Sequence, residues 1–539
     1  MTNNDTDALG LTFLIDRNYS HNQFFQGYCF HGRDMIFGAE GAAAFLDATG
    51  LSIPPGEDGT YASMIRQGRR YLFYSDFNGF KKIFYYWIDG EWAVSNSIPR
   101  IIEHMQSRNV DVKLNPHRLT CVTARGAIFN QLTSFNTFVE GVYLLPLNYI
   151  LDISDDRALA YPHIVPIRRG AYGDLLSDAV ELWVSRMETV LSDQRVIARS
   201  DLTGGMDSRT VLSLLLKAQE RLGIGKKAEL TFRCGVSERS MDDVRVATGL
   251  SKKYGFPLNV NVGDNYVRLS PTQSYASWKH SCLGSYFPIY FPNMGPSAYD
   301  ISFGGGGGES HRPWYAKHVG TNDEVVALPL LLKALPEGKD KDALQREIEE
   351  NYTQLATNCL EENPSALTQH YRTFRNRFHT GRSPQYLTSY TPLASRYFEG
   401  VVRAATSEMT ESAQLQYDIM ESLVGGLMYE DYDKESKKAT PDIISRLTYI
   451  KIKNEARPGS LYAPTPPEFA RVERGDRTTF DMLNDEFERA VQKPNVSDIW
   501  GEQNIKSCRQ ILSEAIVNGK FGHAIDGRVV SAIIATGLV

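Results

Sequence analysis

The sequence predicts an α/β protein in two parts. A β-rich first third comes first, followed by a larger part built on a doubly wound parallel sheet with helical C-terminal additions. Three observations carry this expectation. Up to about residue 150 the chain runs in short alternating stretches broken by Gly and Asn, the mark of half-buried strands and turns. From residue 173 the apolar spacing becomes helical. Strand-like and helix-like runs then alternate, the order of a parallel sheet covered by helices on both faces. A length of 539 residues is too great for one ordinary core, so we place the parts at 1–160 and 170–539.

The elements follow in order. "LGLTFLID", "RRYLFYSDFNGFKKIFYYWIDGEWAVSNS" and "GVYLLPLNYILDI" read as strands and hairpins, with Asp89-Gly90 as a hairpin turn. "ISDDRALAYPHIVPIRRG" reads as a connector. Leu176, Val180, Val184, Met187 and Leu191 form one stripe, which predicts an amphipathic helix over 173–193. "VIARSDL" is a strand and 208–219 a helix; "AELTFRC" is a strand and 241–254 a helix stopping at Gly255; "PLNVNV" is a third strand. "YDISFGGGGGES" reads as a buried strand ending in a glycine run, and beyond about residue 320 the chain is mostly helical and charged. "NEARPGSLYAPTPPEF" is a Pro-rich break before a helical tail.

Composition narrows the class. Hydrophobic content of 42% with 23% charged residues is that of a soluble globular protein. A net charge of −6 argues against nucleic acid as the main partner. Six scattered cysteines without a CxxC pair argue against a disulfide framework or a zinc site. The polar start "MTNNDTDALG" lacks the features of a signal peptide, and no apolar run is long enough to span a bilayer. The expectation is a reduced, cytoplasmic protein with no membrane partner.

The chemistry concentrates in "RSDLTGGMDSRTVLSLLL", residues 199–216, where a strand passes through a Gly-Gly turn into a helix. Ligands of doubly wound sheets sit beyond the carboxyl ends of strands. Gly204 and Gly205 let backbone approach a ligand and accept positive φ. The amides that open the helix favour an anion, and Thr203 and Ser208 add hydroxyls. A carboxylate, Asp207, belongs beside phosphate only if a cation lies between them, and Mg²⁺ suits that role. No GxxxxGK[ST] occurs, so kinase-like or GTPase-like use of a nucleotide is disfavoured. The turn reads as a cradle for the pyrophosphate of ATP, fitted to adenylation. An ordinary strand–helix connection is the plain alternative for a bare Gly-Gly pair.

"LTGGMDSR" resembles the SGGxDS pyrophosphate loop of the ATP-pyrophosphatase group, in the variant of asparagine synthetase-like enzymes. Further stretches carry the same resemblance in order. "TFRCGVSERSMDDVRVATGLSKKYGFPL" is similar to the strand and helix lining the adenosine pocket. "ISFGGGGGESHRPWY" resembles the "GEGADE" loop, and "SYTPLASRYFEGVV" the "RxPFLD" helix start. "YSDFNGFKKIFYYWIDGEWAVSNSI" and "GVYLLPLNYILDI" resemble the hairpin and final strand of the glutaminase domain. The resemblance spans roughly residues 9–455. It implies an Ntn-type layered β domain followed by a PP-loop synthetase domain. It also implies ATP and Mg²⁺ as cofactors. Thr203, Gly204, Gly205, Asp207, Ser208, Phe232, Gly305 and Gly306 would bind the nucleotide, with Asp207 and Glu309 as metal ligands. Glu309 would also be catalytic. Arg446, Lys451 and Lys453 in "PDIISRLTYIKIKN" stand near the place of the family's charge-offsetting lysine, and Lys451 is the candidate taken.

Departures from the pattern restrict the product. The glutaminase nucleophile's place falls on Leu9; an N-terminal Thr2 is a remote substitute, and Cys29 reads as a core cysteine. The resemblance therefore implies a degenerate glutaminase domain, as in β-lactam synthetases and lasso-peptide cyclases. Gly308 stands where the family has a metal-binding Asp; the glycine run is then either a flexible loop or a source of amides for pyrophosphate. Thr388 and Tyr390 replace the family's Glu and Arg before "TPLASRYF". Asp242 and Asp243 are candidates for ribose contact or helix capping, and His311 and Arg312 for facing pyrophosphate or solvent. The expected activity is an AMP-forming ligase that joins a small-molecule or peptide carboxylate to an amine or ammonia. A non-catalytic ATP-binding scaffold is the alternative, and a homodimer or a pathway-partner protein is left open.

Overall fold

The computed structural model describes residues 10–539 apart from 125, 237–239, 261–266, 322, 336, 338–340, 359–365 and 466–476. Thr2, Leu9 and Cys359 lie outside the described residues. Among the described residues, ten strands occupy the first third: β1 (Leu14–Asp16), β2 (Gln23–His31), β3 (Asp34–Phe37), β4 (Asp58–Gln67), β5 (Arg70–Ser75), β6 (Phe84–Ile88), β7 (Glu91–Ser95), β8 (Val142–Leu144), β9 (Tyr149–Ile153) and β10 (Ala158–Pro162). Seven follow among the described residues: β11 (Ile197–Asp201), β12 (Glu229–Arg233), β13 (Val267–Arg268), β14 (Met294–Gly295), β15 (Asp300–Phe303), β16 (Thr388–Tyr390) and β17 (Leu461–Tyr462).

The first third forms two antiparallel sheets, β1–β7–β6–β8 and β10–β9–β5–β4–β2–β3, with β17 added in parallel to β3. Asp89 and Gly90 join β6 to β7 with φ of 51° and 83°, the left-handed pair that a two-residue hairpin of this twist needs. Strand alternation then sorts the side chains. Ala62, Met64, Phe73 and Leu151 of the larger sheet meet Ile15, Trp92 and Val94 of the smaller one. Tyr61 and Tyr74, one residue out of phase, face Phe45 of the helix Gly38–Thr49. The helix Ile98–Ser107 covers the other sheet through Ile98, Ile101 and Met105 against Phe84 and Tyr86. The result is helix, sheet, sheet, helix.

The later part centres on a four-stranded parallel sheet, β12–β11–β15–β16. The helix Tyr172–Leu191 buries all five residues of the predicted stripe. The helix Met206–Leu222 begins two residues earlier than expected, and Met241–Tyr254 stops at Gly255, which takes φ 71°, a left-handed cap. "PLNVNV" differs from the expectation: Leu258 makes only an isolated parallel bridge to Phe232, and residues 261–262 lie outside the described set. The C-terminal helices also depart from a simple addition to the parallel sheet. Leu483, Phe487, Leu512 and Ile533 share a core with Phe84, Ile101 and Leu119 of the first third.

Buried polar contacts tie the two parts. Asp58 accepts from Arg186 Nη1 and Ser395 Oγ at 2.6 Å each, and from the Arg396 N–H at 3.0 Å. The Ser389 N–H donates to Tyr28 Oη at 2.8 Å. Such a pair adds orientation more surely than stability, and these contacts hold β16 and the segment after it against β2 and β4.

Candidate nucleotide site

Strands β11, β15 and β16 end on one side of the parallel sheet, and the loops leaving them line a cleft of about 840 Å³. The turn after β11 forms one wall. The Thr203 N–H donates to Ser208 Oγ at 3.1 Å, and the Gly205 N–H to Thr203 Oγ1 at 3.2 Å. Gly205 is the N-cap of the following helix and supplies no side chain to its first amides, so these face the cleft with the positive end of the helix dipole. Neither Gly204 nor Gly205 adopts positive φ, which corrects one reason given for them. Close approach requires the first: a Cβ on Gly204 would fall 2.6 Å from Asp433 Cβ and 2.9 Å from its amide nitrogen.

The last residue of TGGMDSR folds inward. Arg209 is buried, donates through Nη1 to the carbonyls of Leu427 at 3.3 Å and Glu430 at 3.0 Å, and reaches Asp431 O with Nη2. Its guanidinium lies 3.7 Å over the Tyr432 ring. That anchor brings the next residues across the turn: the Asp433 N–H donates to Gly204 O at 3.3 Å, and Asp433 clamps Lys437 Nζ at 2.8 Å. Lys437 lines the cleft. Lys451, the lysine expected there, is exposed and outside the cleft lining, as is Lys453, and Arg446 pairs with Asp442 at 2.8 Å. Lys437 sits in "DYDKESKK", a charge-alternating run that reads as solvated surface and gives no signal of a site.

The glycine run forms the facing wall. A Cβ on Gly305 would fall 2.6 Å from the Ser208 amide nitrogen, and one on Gly306 2.7 Å from Thr380 Cγ2. Gly307 takes φ 84° against Ala394, and a Cβ on Gly308 would fall 2.4 Å from Asp207 Oδ1. Each glycine thus stands where a side chain would meet a neighbouring segment, and the space a side chain at 308 would need is held by Asp207. Glu309 lines the cleft half-buried; burial and then the Asp207 charge push its carboxyl up, against the pull of Arg312.

Asp207 is engaged. Its Oδ2 accepts from Arg312 Nη2 at 2.7 Å and its Oδ1 from Gln416 Nε2 at 3.1 Å. Among the described residues no three His, Cys, Asp or Glu side chains converge on a place for a metal ion. A guanidinium already pairs with Asp207, and a Cβ at 308 would stand 2.4 Å from Asp207 Oδ1. The residues present thus do not by themselves fit a protein-held Mg²⁺ at Asp207 and Glu309.

Other candidates are placed as follows. Asp243 Oδ1 accepts from the Gly204 N–H at 2.6 Å, so it braces the turn. Phe232 is buried on β12 against Phe256 and does not line the cleft. His311 is buried with Nε2 on Leu393 O, while Arg312 lines the cleft. Thr388 is fully buried, accepting from the Ser297 N–H at 3.2 Å, and Tyr390 packs among Phe30, Trp183 and Phe303. Neither faces the cleft. Its far end instead carries Trp314, Tyr371 and buried Arg375, whose Nη1 donates to Gln131 Oε1 at 3.4 Å. Cys29 is fully buried, and burial raises its thiol pKa well above the ordinary value, the environment of an inert thiol.

No family model matches the chain, and no curated protein matches it. Among solved structures, the chain is similar to glutamine phosphoribosylpyrophosphate amidotransferase from B. subtilis, complexed with ADP and GMP. The likeness covers 56% of this chain and 59% of that one, at 9% identity and a TM-score of 0.15. No helix among the described residues is long and apolar enough to cross a membrane. At that TM-score the overlap bears on neither fold nor activity.

Proposed function

We propose that the protein is an ATP-dependent, AMP-forming ligase that activates a carboxylate and couples it to an amine. The observation that carries this reading is the TGGMDSR turn, set at the carboxyl end of β11 with uncapped amides and Lys437 facing one cleft. A carboxylate oxygen of the substrate attacks the α-phosphorus of ATP, the bond to the bridging oxygen breaks, and pyrophosphate leaves. The amine nitrogen then attacks the acyl carbon, AMP departs, and the nitrogen loses a proton. The turn's amides, the Thr203 and Ser208 hydroxyls and the Lys437 ammonium hold pyrophosphate in line and offset the charge it gathers. Buried Arg375 beside Trp314 and Tyr371 supplies a place for the substrate carboxylate. The helix–sheet–sheet–helix layering of the first third supports reading it as a glutaminase-like fold, and buried Cys29 supports reading it as inactive. Nitrogen then comes from free ammonia or a substrate amine, as in formation of a β-lactam, a peptide macrolactam or a sugar-acid amide.

One observation favours a second reading, a nucleotide-binding scaffold without turnover: Asp207 is already paired with Arg312. ATP–pyrophosphate exchange with panels of amino, peptide and sugar acids separates the two. Exchange that depends on one acid class supports the ligase; ATP binding without exchange for any class supports the scaffold.

A further inference from the structure

Asp207 and Glu309 stand at the mouth of the 203–208 turn, where two negative charges would repel a polyphosphate. A cation must offset them, and the chain already holds one. Arg312 Nη2 lies 2.7 Å from Asp207 Oδ2, and its charge also acts on Glu309. Arg312 lines the same cleft as Thr203, Gly205 and Ser208. Its other guanidinium N–H groups have no hydrogen-bond partner among the described residues.

Three neighbours fix this arrangement. Gln416 Nε2 donates to the other Asp207 oxygen at 3.1 Å, so the carboxylate cannot swing freely toward a second cation. Gly308 meets Asp207 so closely that a Cβ would fall 2.4 Å from Oδ1 and 2.7 Å from Cγ. A side chain at 308 would enter only by displacing the Asp207 carboxylate. Arg312 itself rides on the short turn Gly308–His311, its N–H donating to Glu309 O at 3.2 Å, so the same turn sets both the acid and the base. Mg²⁺ asks for near-octahedral oxygen ligands at about 2.1 Å; a guanidinium within hydrogen-bond reach of the first ligand opposes it.

We propose that Arg312 does the work of a protein-held divalent cation in this cleft, so that the turn binds the pyrophosphate moiety of a nucleotide through a guanidinium and without a metal. The inference rests on the reading of the turn as a pyrophosphate cradle. A planar guanidinium fits two phosphate oxygens side by side while keeping one N–H on Asp207. Lys437 approaches from the opposite wall, 3.9 Å from where a Gly205 Cβ would stand. Pyrophosphate would thus sit between two fixed cations and the open helix amides.

The test is calorimetric titration of the full chain with inorganic pyrophosphate, once in EDTA and once in excess Mg²⁺. The wild type is expected to bind in both, with affinities within about threefold. Arg312→Met is expected to weaken binding in EDTA by about tenfold or more, and Arg312→Lys to restore part of it, since a point charge lacks the bidentate fork. Circular dichroism melts of both variants confirm the fold; if Arg312→Met does not fold, the Arg312→Lys affinity decides alone, an unchanged value counting against the inference. Binding by the wild type only in Mg²⁺ overturns the inference and leaves the cradle standing. So does unweakened binding by Arg312→Met in EDTA. No binding in either buffer overturns the cradle and the inference together.

Discussion

Lys437 shows what a single side chain contributes to this cleft. Its ammonium is held by both oxygens of Asp433, and Asp433 in turn lies against Gly204. Replacing it by methionine keeps the aliphatic stem and removes the charge that lines the cleft. Exchange measured with the best acid is expected to fall by about 10²-fold, the range for one electrostatic donor. Lys451→Met is expected to leave exchange unchanged; a loss there with none at Lys437 would reverse the assignment. Cys29 gives a second prediction at this scale. Its thiol is buried and held protonated, so glutamine supplied to the purified protein is expected to yield no glutamate. Glutamine-dependent release would refute this. The residues of the turn were legible because their types are rare together: two glycines, a carboxylate and two hydroxyls on one hinge. Lys437 was not, because the contacts that bring it there pass through Arg209 and Leu427, which are 218 positions apart.

Elements declare themselves through periodicity, and here they do so unevenly. The helix Tyr172–Leu191 and the Asp89-Gly90 hairpin follow from local pattern, since one buried stripe and one left-handed pair suffice. "PLNVNV" has strand composition, but its described residues make one isolated bridge, because burial on both faces, which a third parallel strand requires, is decided by neighbours distant in sequence. The glycine run is a further case. Five glycines in a row read as slack, yet four of them are held within van der Waals contact of other chain segments. Gly307→Ala combines φ 84° with a Cβ 2.4 Å from Ala394 Cβ, and should cost about 1–3 kcal/mol in chemical unfolding. Gly304→Ala meets nothing nearer than the Gly306 amide at 4.0 Å and should be nearly neutral. Equal effects at the two positions would show that the run does not pack as described.

At the scale of the molecule, stability should depend on pH through histidines kept neutral by burial. His311 and His370 are pushed down to about 4 and His280 to about 3. The unfolded chain takes up these protons near pH 6.5 and the folded chain does not, so stability present above 6.5 is lost as pH falls toward 4. Asp76 opposes this: burial raises its carboxyl to about 7, and it gives up a proton on unfolding in the same window. His379 is likewise pushed down to about 3, and four protons taken up against the one from Asp76 favour acid destabilisation. The melting temperature should fall between pH 7 and pH 5, and the fall should shrink in His370→Gln, by about 1.4 kcal/mol per pH unit for one full proton. An identical slope in the variant would remove His370 from the account. Whole-molecule organisation was the least legible level. The linker after residue 160 suggests a clean boundary, but the C-terminal helices return to the first third and share its core.

The two-residue strand β17 has a consequence out of proportion to its length. It closes the exposed margin of the larger antiparallel sheet by pairing with β3, where the Met35 N–H donates to Ser460 O at 2.9 Å. A fragment cut before residue 460 would leave that margin bare, and bare sheet margins recruit other chains. The first third, although it has its own pair of sheets, should therefore behave in isolation as a sticky intermediate rather than as a free-standing domain.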